Sequence, residues 1–303
     1  MEIGLGLDAR LALSDEEQRG VAAEAATLGY TSLWTPAGPD PFGLCALWHE
    51  ASGLQTGISV LPLQRWPADQ LIAGARTTRT RTNGHFTLGV GIGSERTAPI
   101  RRMQETIDAL RSALGDAPIY LGALGPQMLR LAGERYDGAA LNWSSPEQIA
   151  WSRERVAAGA LRAGRDPRAV AIHQYIRVCI DPDEGAARRA FAKMVLGYAM
   201  NKPGADPSKG YRAHFARMGF DAVLTAVEDR QARGSTDDEL ATMVPDDLLA
   251  LVGYWGRPAG AAAAFRALAV GLDIAIVRVV APDRAGANDV DCVRRAMRAC
   301  AAT

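Results

Sequence analysis

The sequence predicts a (β/α)8 barrel on three observations: eight short apolar runs, amphipathic stretches between them, and Gly, Pro or polar residues bounding each run. The runs occupy residues 3–7, 32–35, 57–63, 86–91, 119–123, 138–142, 170–180 and 274–280. Parallel strands buried on both faces read as near-continuous apolar stretches, because crossover helices cover them outside and neighbouring side chains fill the space inside. Eight is the number that closes such a barrel. A chain of 303 residues, 48% of them hydrophobic, can bury its core as one domain over residues 1–303.

The helices carry their own start signals. Ser14-Asp15-Glu16-Glu17 is a capping box, Val21, Ala25 and Leu28 line one face, and Gly29 stands where a helix ends in a left-handed residue. Trp66-Pro67 opens the third helix with proline in its first turn. Ile100, Met103, Ile107, Leu110 and Leu114 recur every three or four positions, so the fourth helix lays one face on the barrel. Ser145-Pro146-Glu147-Gln148 opens the sixth with both a proline and a capping box.

One segment breaks the rhythm. About 90 residues separate the seventh and eighth runs, where a crossover needs roughly 20 to 30. The excess, about residues 183–256, is read as a helical insertion between strands seven and eight, with a turn-rich stretch at Asn201-Lys202-Pro203-Gly204-Ala205-Asp206-Pro207. It leaves from the C-terminal end of strand seven, the end at which barrels of this kind carry their active sites, and is therefore a candidate lid.

Composition narrows the partners. Lys plus Arg and Asp plus Glu number 34 each, so no net field draws nucleic acid or an anionic membrane, and a small-molecule partner is expected. The N-terminus lacks the basic and apolar regions of a signal peptide, and no apolar run approaches the ~18 residues of a membrane span, so a cytoplasmic protein is expected. Cys45, Cys179, Cys292 and Cys300 show no Cys-x-x-Cys spacing and the four histidines are scattered, so no metal site is read and the cysteines are taken as reduced core residues.

Three segments fall at C-terminal strand ends and so converge on one pocket. Phe86-Thr87-Leu88-Gly89-Val90-Gly91-Ile92-Gly93-Ser94 ends a strand in alternating glycines, which allow backbone N–H groups to approach a ligand and equally suit a tight turn. The run lacks the spacing of a dinucleotide fingerprint and lies mid-chain, which argues against a Rossmann unit. Pro118-Ile119-Tyr120-Leu121-Gly122-Ala123-Leu124-Gly125-Pro126-Gln127 runs from strand into helix, and unpaired N–H groups at that helix start suit a phosphate. Gly57 to Pro67, with Arg65 and Trp66, sets a cation and an aromatic ring beside the mouth or simply packs a loop.

In this order and spacing the three segments resemble the luciferase-like monooxygenase superfamily, in particular its branch dependent on coenzyme F420. The resemblance runs from Gly29-Tyr30-Thr31-Ser32-Leu33-Trp34 through Leu131-Ala132-Gly133-Glu134-Arg135-Tyr136-Asp137-Gly138 to Ala269-Val270-Gly271-Leu272-Asp273. It implies a non-prolyl cis peptide at Ser59-Val60 behind the cofactor ring. It also implies that the cofactor tail is held by Gly91, Ile92, Gly93 and Ser94 and by Leu124, Gly125 and Pro126, and that the protein is a homodimer. The sequence departs from the sugar-phosphate dehydrogenases of that branch: Ala37-Gly38 replaces their Asp-His pair, and Ser94 followed by Glu95 replaces their glutamate. Their mechanism is therefore not carried over. Asp8, at the outlet of strand one, is the best-placed ionisable residue for catalysis and could equally cap a helix or meet an arginine, whereas His173, at the start of strand seven, reads as a core or rim histidine. The resemblance implies hydride transfer between deazaflavin and a small organic substrate. The alternatives are an FMN-dependent monooxygenase and a flavin-binding barrel without turnover.

Overall fold

The apolar runs form parallel strands and the amphipathic stretches form helices. The computed structural model describes residues 1–303 except 8–9, 94–96, 203, 283–287 and 302–303, so Asp8 and Ser94, both singled out from the sequence, lie outside the described residues. The first part of the chain comprises β1 (Glu2–Gly6), α1 (Asp15–Thr27), β2 (Ser32–Thr35), α2 (Pro41–Ser52), β3 (Gln55–Pro62), α3 (Ala68–Arg81), β4 (Phe86–Gly91), α4 (Pro99–Leu114), β5 (Ile119–Gly122) and α5 (Pro126–Arg135). It continues through β6 (Gly138–Asn142), α6 (Pro146–Arg162), β7 (Ala171–Ile180), α7 (Glu184–Ala199), α8 (Gly210–Phe215), α9 (Asp221–Ala232), α10 (Asp237–Thr242) and α11 (Asp246–Ala250). The last elements are β8 (Gly253–Gly256), α12 (Pro258–Leu268), β9 (Ile274–Val279) and α13 (Asp289–Cys300). Strands β1 to β6 pair in sequence, β6 pairs with β7, β7 with β9, and β9 returns to β1. Eight parallel strands thus close a TIM barrel.

Local chemistry sets the helix starts. The Ser14 side chain accepts the Glu17 N–H while the Glu17 carboxylate accepts the Ser14 N–H, completing the box. At α6 only half of the predicted box forms: Ser145 accepts from Gln148 N–H, but its own N–H points to Met218 Sδ, 3.4 Å away, in the segment before α9. Met103, Ile107, Leu110 and Leu114 are buried along one face of α4, as their spacing requires. All four cysteines are free and buried.

The segment read as a helical insertion is not helical to its end. It closes in the short strand β8, whose residues 253–256 pair with Arg177 to Ile180, beyond the point where β6 leaves β7 at Tyr175. Gly-Tyr-Trp-Gly is too short to show strand periodicity. Its place is set by tertiary packing, since a Cβ on Gly253 would stand 2.4 Å from the Phe191 ring and 2.5 Å from the Arg177 carbonyl oxygen. Phe191, Val195, Phe215, Phe220 and Leu224 form a separate apolar cluster that reaches Trp143, Cys179 and Val280 at the strand outlets.

Inside the barrel, glycines face rings. A Cβ on Gly57 would stand 2.4 Å from Trp34, one on Gly6 2.8 Å from Tyr175, and one on Gly138 2.8 Å from Tyr120. Trp34, Tyr120, Tyr175 and Ile276 fill this space as one buried cluster. His173 is part of the core: its fully buried ring lies 4.5 Å from Trp34 and 5.1 Å from Tyr120, and its Nε2 is 2.8 Å from Ser59 Oγ. Burial pushes the His173 imidazole down to about 3. His214 on α8, whose Nε2 lies 2.9 Å from the Trp143 carbonyl, is pushed down to about 4, mainly by burial.

These features generate two tests of the fold. Helices α5 and α6 cross on Gly133 and Gly159, where an added Cβ would meet the Val156 carbonyl oxygen at 2.0 Å and the Arg130 carbonyl oxygen at 2.1 Å. Gly159→Ala should cost about 1–3 kcal/mol in denaturant unfolding. Gly197→Ala, on the exposed face of α7 with nothing within 4 Å of the new atom, should instead stabilise by up to about 1 kcal/mol. The second test uses pH. Both histidines fall below the 6.5 of an unperturbed imidazole, so the unfolded chain takes up protons first. Their contribution is intact above pH 6.5 and is lost as the pH falls through the window toward the folded values of about 3 and about 4. Each should account for about 2 kcal/mol of stability lost between pH 7 and pH 5. His173→Gln should remove one such share, and an unchanged slope in that variant would refute the assignment.

Candidate active site

Two opposed arcs of strand ends form the barrel mouth, one from β3 to β5 and the other from β7 to β9. On the first arc, β3 shifts register between Ile58 and Leu61, and the Ser59–Val60 peptide is cis, as the sequence resemblance implies. Val60 leans across the neighbouring strands. Added Cβ atoms on Gly89, Gly91 and Gly122 would lie 3.0, 2.8 and 3.0 Å from its methyl groups, so this side chain occupies the space those glycines leave. Gly93 has φ +68°, and a Cβ there would stand 1.9 Å from Gln64 Oε1, so its own turn already requires glycine. Ile92 is half-buried against the barrel core. Trp66 packs edge-on against Phe42 with ring centroids 5.6 Å apart, so it serves the loop, and Arg65 is exposed.

Further along the same arc, Gly125 is the N-cap residue of α5, with Pro126 in the first turn and no side chain capping the helix. Nothing lies within 4 Å of a Cβ placed on Gly125. Arg217 donates to the Leu124 carbonyl at 3.0 Å, so a guanidinium from beyond α8 stands beside this open helix start. The described residues picked out from the sequence, namely Ser59, Val60, Gly91, Ile92, Gly93, Leu124, Gly125 and Pro126, therefore lie along one arc, and Val60 joins β3 to β4 and β5.

The opposite arc was not singled out from the sequence. Arg177 on β7 is 2% exposed and donates from Nη1 to Asn142 Oδ1 at 2.6 Å. Its guanidinium lies 3.8 Å over the Trp143 ring and 5.1 Å from that of Tyr198. Arg278, its register partner on β9, is also buried and lies 4.7 Å from the Tyr175 ring. Burial pushes the Arg177 guanidinium down to about 10. Burial would raise the Tyr198 hydroxyl, but Arg177, Arg10 and Arg278 outweigh it and hold the group below its ordinary value. Asn142 also donates to the Tyr211 hydroxyl at 2.6 Å, so α7 and α8 both reach the strand ends. The signal in the sequence was an arginine inside each of the two apolar runs 170–180 and 274–280.

A cleft of about 270 Å³ opens beside β1 and β2, lined by Leu7, Leu11, Leu13, Pro39, Leu44 and Trp48. At its edge Asp40 accepts the Gly43 N–H at 2.8 Å and so caps α2. A cavity of about 310 Å³ between Gln104, Glu134, Arg135 and Arg162 lies on the outer helices, away from the strand ends. Among the described residues, no helix is long and apolar enough to cross a membrane.

The fold is shared with known proteins. A 5,10-methylenetetrahydromethanopterin reductase from Methanolobus tindarius is 30% identical over 240 residues, which cover 68% of this chain and 70% of that protein. The structure of a coenzyme F420 dependent tetrahydromethanopterin reductase from Methanopyrus kandleri superposes with a TM-score of 0.75 at 17% identity, covering 97% of this chain and 96% of the other. An F420-dependent secondary alcohol dehydrogenase, solved with an F420-acetone adduct, superposes with a TM-score of 0.70 at 15% identity over 99% of both chains. Residues 9–272 match the family described as luciferase-like monooxygenase, and this chain, a closed eight-stranded barrel, belongs to that family.

Proposed function

We propose that this protein is an oxidoreductase that uses coenzyme F420 and transfers a hydride between the deazaflavin and a small organic substrate at the barrel mouth. The observation that carries the reading is the likeness, over nearly the full length of the chain, to two F420-dependent enzymes of the same fold. The 30% identity to a methylenetetrahydromethanopterin reductase supports the same direction.

The β3–β5 arc fits such a cofactor. Val60, laid over Gly91 and Gly122, offers an apolar ledge for a flat ring. The open space at Gly125, the uncapped N–H groups of α5 and the Arg217 guanidinium suit an anionic tail. Ser59, Val60, Gly91, Ile92, Gly93, Ser94, Leu124, Gly125 and Pro126 would hold it. When bound, the deazaflavin supplies a two-electron hydride donor or acceptor. The protein's own groups bind, orient and exclude water. His173 supports Ser59 from within the barrel and, with its imidazole held near 3, moves no proton at neutral pH. Helices α7 and α8 cover the opposite arc through Tyr198 and Tyr211, which is the basis for reading this segment as a lid. Asp8 is the proposed proton carrier, on its position in the sequence two residues after the end of β1.

Two measurements test this reading. In titrations of the apo-protein, F420 should bind at least tenfold tighter than FMN, a gap of about 1.4 kcal/mol. Equal or reversed affinities would favour an FMN monooxygenase, and F420 binding without hydride transfer to any acceptor would leave a barrel without turnover. At the helix start, Gly125→Asp adds a side-chain cap in free space at an extended backbone position, so the fold should gain a few tenths of a kcal/mol. The same carboxylate would repel the anionic tail, and F420 affinity should fall at least tenfold. A variant that keeps full affinity would place the tail elsewhere.

A further inference from the structure

We infer that Arg177 anchors an oxyanion subsite facing the cofactor arc, and that the substrate presents a planar carboxylate to it. The inference rests on the proposed reading of the barrel mouth as the active site, and it names the class of molecule that site takes.

A buried guanidinium stripped of water is costly unless a counter-charge stands beside it. Arg177 is 2% exposed, yet among the described residues no carboxylate pairs with it. Its neighbours offer neutral oxygens and ring faces: Asn142 Oδ1 accepts from Nη1 at 2.6 Å, Tyr198 lies beside it, and Trp143 lies beneath it at 3.8 Å. Nε is buried with no acceptor among the described residues. A second buried guanidinium, Arg278, occupies the matching register on β9 and lowers the proton affinity of Arg177 further. Arg278 thus adds to the cost of keeping Arg177 charged, a cost that an anion beside Arg177 would offset.

The free Nε–H indicates the shape of that anion. With Nη1 committed to Asn142 and Tyr198 also hydrogen-bonded to the guanidinium, Nε–H is the donor left to receive an oxygen, and displacing Tyr198 with α7 would open the edge that suits a flat carboxylate. The surrounding rings of Trp143, Tyr198 and Tyr211 suit the organic part of such an acid better than the hydration shell of free phosphate. Placement suits the chemistry as well. Arg177 stands on the inward-facing row of β7, four residues above His173, which touches Ser59 at the foot of the cofactor arc. A bound carboxylate would therefore be oriented across the mouth from the proposed ring ledge. Tyr198 and Tyr211 belong to α7 and α8 and not to the barrel, so an anion entering beside Arg177 would displace these helices and not the strands.

Thermal unfolding with benzoate as the probe tests the inference, with phosphate, chloride at matched ionic strength and neutral benzamide as controls. Wild type should show a saturable rise in Tm with benzoate, a smaller one with phosphate, and none with benzamide beyond the chloride baseline. Arg177→Met should weaken the benzoate response at least tenfold while leaving the ligand-free Tm unchanged or higher, because an uncompensated charge has been removed. Arg177→Lys should keep a reduced response, since charge remains but the fork is lost. A wild-type response to benzamide equal to that of benzoate, a response to phosphate alone, or an undiminished benzoate response in Arg177→Met would each overturn it. If Arg177→Met does not fold, the wild-type contrast of benzoate with benzamide and the Arg177→Lys response decide. F420 titration is run separately on the same samples. Loss of F420 binding with the benzoate response intact would refute the cofactor reading and leave the subsite standing.

Discussion

A closed barrel of eight parallel strands encloses a fixed volume, and most of this architecture follows from how that volume is filled. Trp34, Tyr120 and Tyr175 are too large to share a layer with ordinary side chains opposite them, and Gly57, Gly138 and Gly6 supply the missing space. Ring and glycine are a steric pair: a methyl group on any of these three glycines would come within 3 Å of a ring. The interior is thereby solid up to the level of His173, and anything that binds must do so above it.

Ser59 and His173 tie this filled layer to the mouth. Their hydrogen bond spans the barrel from β3 to β7, in a site so dry that the imidazole stays neutral. Above the bond the two arcs diverge in character. The β3–β5 arc is built from absent side chains, so its surface is backbone and the methyl groups of Val60. The β7–β9 arc is built from long cationic and aromatic side chains, two of them buried arginines in register. One arc suits a flat ring with an anionic tail, and the other suits the charged end of a small molecule. The helices between β7 and β8 complete the second arc and meet the barrel at the strand outlets, through Trp143, Cys179 and Val280 and through Tyr211 on Asn142.

Much of the site was legible where a residue type has few uses. Glycines at the ends of β4 and β5 and the proline of α5 marked the β3–β5 arc, but the reason for them was only half apparent. Gly91 and Gly122 make room for Val60, and Gly93 satisfies its own turn, so two protein-internal causes stand behind positions read from the sequence as ligand contacts. The arginines were visible as letters but not as a pair. An arginine in an apolar run gives no hint of which face it takes until the register sets Arg177 beside Arg278. Strand β8 was missed because four residues, two of them the bounding glycines, have no periodicity, and its pairing is dictated by the free upper edge of β7.

What the sequence by itself determined was the alternation of strands and helices, the eight strands of the barrel, the helix starts at Ser14 and Ser145, and the burial of His173 and the cysteines. These depend on local patterning and on the hydrophobic effect, both of which act residue by residue along the chain. What only the tertiary structure decided was which glycine faces which ring, where β8 adds to the sheet, how Val60 spans three strands, and that Arg177 lies in a dry layer with no carboxylate paired to it among the described residues. Those depend on contacts between residues far apart in sequence, whose distances are set by barrel closure and strand register and cannot be read from spacing along the chain.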